Sequence, residues 1–327
     1  MAIHAYNENY VDNARTTLAT MLDYAVNYMH RDIDTFFIEF ITSGIASRFG
    51  TGDPLYITGK SGVDLYHDTV SAIGSPAQPV EYIAIERSAE YWLGSYLAYA
   101  EWYLNIPFRD IFAILPLSVM VGWYDTAHEA DVARYTDDVY HTMLHNNNSL
   151  KEMRELTHLS QTDLANMSGV PLRSIQMYEQ CNNDIAKAQY SAVANLARCL
   201  SCNTQDIVSP MSFRRSLMKS YSTIIEQKLG NLLEYNAGNA DDASVERLFH
   251  DMYTMTNFIY TISYDNIAQH NGKYYASKTF VNQLIRLFLS NINIHLPSDF
   301  ITDNVSVVEL VPDDFVTKMY NLIIINN

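Results

Sequence analysis

Several short stretches of this chain carry residue types at spacings that chemistry uses. His141 and His145 stand four apart, so on a helix they share one face at metal-ligand spacing, with Asp137 and Asp138 a turn earlier. No glutamate lies between them in the metalloprotease pattern, and they read as two exposed histidines. His128, Glu129 and Asp131 offer similar polar atoms without a diagnostic spacing. Cys199 and Cys202 form a C-x-x-C with Cys181 nearby, yet neither a fourth zinc ligand nor a strand leading into the motif is evident. Gly59-Lys60-Ser61 has the ending of a phosphate-binding loop, but that loop needs a glycine five places earlier, where this chain has Pro54. Gly59 reads instead as the end of a turn and Ser61 as a helix cap. No serine-histidine-acid or cysteine-histidine arrangement emerges from spacing. The chain is therefore read as not an enzyme, with no catalytic residues, no metal and no cofactor.

The most informative chemistry is of another kind. In Ser160-Gln161-Thr162-Asp163-Leu164-Ala165, Ser160 can cap a helix while Asp163, three places on, closes a capping box and favours the positive helix end. Leu164, Ala165 and Met167 are expected to form the inner face of that helix. Gly169 supplies a turn that a Cβ would resist, and Val170 packs inward. Pro171 suits the first position of a second helix, on which Ile175 and Tyr178 repeat at the spacing of a buried stripe. The opposite face carries Leu172, Arg173, Ser174 and Gln176.

On these residues, the segment from about 150 to 207 resembles the Xre-type helix-turn-helix family, the group that includes phage Cro and lambda-type repressors. Leu150, Met153 and Leu156 resemble the family's first helix; Ile185, Leu196, Ala197 and Leu200 its fourth; Cys202 and Ile207 the apolar positions of its fifth. The resemblance implies a five-helix fold that binds double-stranded DNA. It assigns a backbone contact to Gln161, base reading to Leu172, Arg173 and Gln176, and a contact nearer the backbone to Ser174. Arginine can bond guanine twice and glutamine adenine twice, each pair worth about 1–3 kcal/mol of discrimination. The resemblance also places Cys202 in the core. Two positions depart from the family pattern: Cys181-Asn182-Asn183-Asp184 follows where a glycine and a basic loop are common, and residues 150–207 hold five Lys/Arg against six Asp/Glu.

The elements around this segment are read from periodicity. With 327 residues, nearly half of them hydrophobic, the chain can bury a sizeable core over two or three domains. Leu18 to Met29 and Ile33 to Ile45 repeat at helical spacing, the second stripe closing near Gly50. A third helix is expected over 61–73. A fourth is capped by Ser88 and carries Trp92, Tyr96, Tyr99, Trp102 and Tyr103, whose rings suit a core, an interface or a ligand pocket. Residues 59–63 and 90–94 resemble an uncharacterised helical domain that precedes Xre-type modules in Firmicutes-type bacteria. Beyond residue 208, helices are expected over 213–233, 245–264 and 280–289, and short β-branched runs at 305–310 and 322–325 are expected to pair as strands. The expected fold is mainly α: a multi-helical domain over 1–148, a lambda-repressor-like helix-turn-helix over 149–208, and a helical region with a small β element over 209–327.

The formal charge of −16 is uneven: residues 1–149 carry −12, the helix-turn-helix −1 and the remainder −3. An acidic first domain repels DNA at long range, so it suits a surface facing away from the duplex or toward a basic partner protein. Arg214, Arg215 and Lys219 form a local basic cluster that can reach phosphates. Three cysteines and no apolar leader point to a reducing cytoplasm, and the richest apolar run, 111–121, is interrupted by Pro116 and cannot span a bilayer. The leading expectation is a sequence-specific transcriptional regulator of bacterial or phage type, a repressor or autoregulator acting as a homodimer. One alternative is an inhibitor or antitoxin that binds a basic protein through the acidic domain. Another is a regulator that responds to a ligand.

Overall fold

The computed structural model describes residues 4–83, 88–146, 149–202, 204–208 and 266–322, less 293, 297, 312, 313, 315, 316 and 320. The fold is mainly helical with a three-stranded antiparallel sheet. By chain contacts it divides into two compact units, Met1–His128 together with Ser216–Asn327, and Glu129–Arg215. The helices expected over 213–233 and 245–264, and the cluster Arg214, Arg215 and Lys219, lie outside the described residues.

The larger unit is built around α1 (Val11–Asp23), which runs into a π-helical turn at Tyr24–Tyr28. Its buried side, from Ala14 through Leu18, Leu22 and Ala25, packs along α6 (Ala89–Leu104). The two backbones meet at Gly94, where a Cβ would lie 2.6 Å from both Ala19 Cα and the Leu18 carbonyl oxygen. Ser88 caps α6 by accepting a hydrogen bond from the Tyr91 amide. The expected second stripe is split: α2 (Ile33–Thr42) ends at the left-handed Gly44, and α3 (Ile45–Gly50) follows. Phe36, Phe37, Phe40 and Phe49 are fully buried there. After α4 (Pro54–Ile57), Ser61 and Asp64 form a capping box on α5 (Gly62–Ala72), and the Gly59 amide closes the turn by donating to Pro54 O. Lys60 pairs with Asp68. Pro107 and Pro116 sit at the N-caps of α7 (Phe108–Ile114) and α8 (Leu117–Val121), where the lack of an amide hydrogen costs nothing.

The sheet departs from the sequence expectation. β1 (Ile267–His270) and β2 (Lys273–Ser277) form a hairpin that was not expected, and β3 (Val307–Glu309) pairs with β2; the run expected at 322–325 lies, after Leu322, outside the described residues. The hairpin turn is Asn271-Gly272, with φ of +49° and +74°, the two positive values a right-twisted two-residue turn requires. β1 packs on α2 and α7, and His270 stacks on Phe112 with ring centroids 5.2 Å apart. The helix Lys278–Asn291 spans the expected 280–289 segment.

The smaller unit comprises α10 (Val132–Asn146), α11 (Ser149–Leu156), α12 (Gln161–Ser168), α13 (Leu172–Glu179), a 3-10 turn (Ile185–Lys187), α14 (Tyr190–Cys199) and α15 (Thr204–Val208). One cluster joins Leu150, Leu164, Val170, Ile175, Val193, Leu196, Leu200 and Ile207, with Met153, Tyr178, Cys199 and Cys202 packed around it. Met167 is not on the inner face: it is 58% exposed. Ser168, four residues after Leu164, takes the inner position, donating to Leu164 O at 2.6 Å and accepting from the Val170 amide at 3.2 Å. On α10, Tyr140 is pushed up to about 12 by burial and by the nearby Asp184 carboxylate.

Candidate nucleic-acid interface

The face that bears Leu172, Arg173, Ser174 and Gln176 is organised by the two helix ends beside it. Ser160 Oγ accepts from the Asp163 amide at 3.0 Å, and the Asp163 carboxylate accepts from Ser160 N and Oγ at 3.2 and 2.6 Å. These bonds hold Asp163 below the usual carboxylate range, so α12 begins with a fixed negative charge. Gly169, at φ +70°, ends α12. Pro171 is the N-cap of α13, and no side chain caps that helix. With φ preset by the ring, α13 starts at Leu172 with its first amides directed outward.

Ile175 is fully buried and Tyr178 half-buried, which turns Leu172 and Arg173 to solvent and leaves Ser174 and Gln176 half-buried on the flank. Four of the five residues expected to meet DNA therefore share the first turn and a half of α13. The fifth, Gln161, behaves differently: its Nε2 donates to Glu179 Oε2 at 2.8 Å. The amide carries two N–H groups, and this bond engages one.

Glu179 was not singled out from the sequence, yet it organises the module. Its carboxylate accepts from Arg154 Nε at 2.7 Å and Nη2 at 3.0 Å, a two-point pairing between α11 and α13. Arg154 Nη1 donates to Leu159 O at 2.8 Å. The Glu179 side chain is 3% exposed and that of Arg154 12%, so both charges are withdrawn from water and satisfied together. The end of α13, the end of α11 and the first residue of α12 are thereby tied at one point. In the sequence these residues stand 25 apart, with only a polar residue amid apolar periodicity to mark each.

The chain leaves α13 through Cys181 at φ +55°. The Asn182 amide donates to Met177 O at 2.9 Å and the Cys181 amide to Tyr178 O at 3.0 Å, the paired bonds of a Schellman ending. Ser201 ends α14 in the same way, at φ +52°. Cys181, Cys199 and Cys202 are free thiols, all half-buried, so Cys202 lies at the rim of the core. Among the described residues no group of three His, Cys, Asp or Glu could hold a metal ion, and no helix is long and apolar enough to cross a membrane. His141 is exposed on α10, and the His145 side chain lies outside the description. Against known proteins, no family model, no curated protein and no solved structure matches the chain.

Proposed function

We propose that this chain is a sequence-specific DNA-binding protein, a transcriptional regulator that acts as a repressor or autoregulator, with α13 entering the major groove. The observation that carries the reading is the two-sided character of α13. Ile175 and Glu179 anchor one side to α11 and α12, while Leu172, Arg173, Ser174 and Gln176 stand together beside an uncapped helix start. Arg173 then reads a guanine edge, Gln176 an adenine, and Leu172 meets a thymine methyl; the second amide hydrogen of Gln161 reaches a phosphate. In a homodimer, two such helices meet half-sites about one helical turn apart.

The test is binding of the full chain to its own upstream DNA against a scrambled duplex of equal length at two salt concentrations. Specific, salt-sensitive binding that weakens in Arg173→Ala supports the reading. Binding no better than to the scrambled duplex at low salt would overturn it.

A second reading is favoured by charge. Asp163 at the start of α12 and Asp184 after α13 place carboxylates where a phosphate-binding module wants donors, and residues 1–149 carry −12. In that reading the chain is an inhibitor or antitoxin that binds a basic protein. A basic or enzymatic product encoded beside it, co-purifying with it at low salt and released by salt, is the expected result.

A further inference from the structure

Glu101 lies on α6 in the larger unit, 4% exposed, and its Oε2 is shut off from solvent with no hydrogen-bond partner among the described residues. It lines a cavity of about 270 Å³ whose walls are apolar at Ile41, Ala46, Pro107 and Phe108 and polar at Ser47 and Asn105. Space at the carboxyl is kept by Gly50: a Cβ there would fall 2.6 Å from Glu101 Oε1. The Tyr6 hydroxyl is likewise buried without a partner. Buried carboxyls are ordinarily paired with a cation or held by donors, because an unsatisfied one is costly. Burial pushes the Glu101 carboxyl well above its usual range. Arg109 also lines the cavity, but its Nε donates to Asp110 at 3.4 Å, on the residue next in the chain.

We propose that this cavity is a binding site for a small organic ammonium ion, with Glu101 taking the charged head and the apolar wall taking the carbon body. The volume falls just under the roughly 300 Å³ at which sites begin to enclose drug-sized ligands, which fits a compact amine. The chain's net charge of −16 raises the local concentration of cations. On docking, the Glu101 carboxyl releases its proton to solvent and the carboxylate pairs with the ammonium, so one proton leaves for each ligand bound. The proposal does not depend on DNA binding by the smaller unit.

The test is calorimetric titration of the full chain with cyclohexylammonium, and with cyclohexanol as the neutral analogue of the same shape, in two buffers of different ionisation enthalpy. Saturable ammonium binding whose heat differs between buffers by the release of about one proton is expected, with the alcohol at least ~10-fold weaker. Glu101→Gln, equal in shape but unable to carry charge, is expected to bind the ammonium at least ~10-fold more weakly while still melting cooperatively. Ala46→Leu, which adds bulk to the cavity wall one turn of α3 before Gly50, is expected to abolish binding of both probes while the chain still melts cooperatively. The proposal is overturned by no saturable heat in the native chain, by equal affinity for alcohol and ammonium, or by undiminished ammonium binding in either variant.

Discussion

Glu179 and Glu101 are both glutamates on helices, both almost wholly buried, and their surroundings give them opposite chemistry. Glu179 receives two hydrogen bonds from Arg154 and one from Gln161, so its charge is neutralised where it sits. Glu101 has an oxygen with no partner among the described residues, and burial holds its carboxyl well above the usual range. Burial alone thus decides neither the charge nor the role of an acid; the number of donors that reach it does. The smaller unit uses its carboxylate to fix helices, and the larger one keeps a carboxyl poised at a cavity.

The comparison is broken most severely by removing the partner. Arg154→Ala leaves the Glu179 carboxylate buried without its cation, and a loss of about 3–5 kcal/mol is expected, a large share of what holds a domain of this size folded. Hydrogen exchange at the amides of α11–α13 checks it; protection equal to the native chain would show that Glu179 does not tie these helices together. Next in size is Arg173→Ala, which stands outside the network and leaves stability within about 0.5 kcal/mol. A loss of about 1–3 kcal/mol in specific DNA binding is expected, with relaxed preference at one base pair, read by competition between duplexes.

The pH response of Glu101 sharpens the contrast. Its folded-state value is raised, so the folded chain holds a proton that the unfolded chain gives up above the ordinary carboxylate range. Stability from this group is therefore full below the unfolded value and falls as pH rises, by about 1.4 kcal/mol per pH unit until the folded value is reached. Glu101→Gln is expected to flatten that slope and to melt higher than the native chain at neutral pH. Identical melting curves from acid to neutral pH would remove the basis for a neutral Glu101. The smallest effect belongs to Cys181. Glycine bears the left-handed conformation without the Cβ clash but is freer when unfolded, so Cys181→Gly is expected to stabilise by about 0.5–1 kcal/mol in chemical denaturation.

Local signals were the legible ones. The Ser160–Asp163 box, the Ser61 and Ser88 caps and the Gly169 turn act within four residues, and each is where its spacing placed it. The Asn271-Gly272 turn was equally local and open to reading, with Ala268 and Tyr275 cross-strand partners in the ladder, but the polar residues around it masked the strands. Cys181 and Ser201 were harder, since their left-handed turns are stabilised by the Schellman bonds and carry no glycine to announce them. Periodicity also put Met167 inside, because a helical stripe alone does not tell which residue of the last turn still faces a neighbour.

What the sequence by itself determined was where the capped helices begin, where Gly169 ends one, and the side of α13 that carries Leu172, Arg173 and Gln176, because these follow from contacts between residues near in the chain. Tertiary structure alone decided that β3 joins a hairpin 30 residues earlier, that Gln161 turns to Glu179, and that Glu101 Oε2 meets no donor among the described residues. Each of those outcomes depends on groups far apart in sequence arriving at one place, and on the partners that do not arrive.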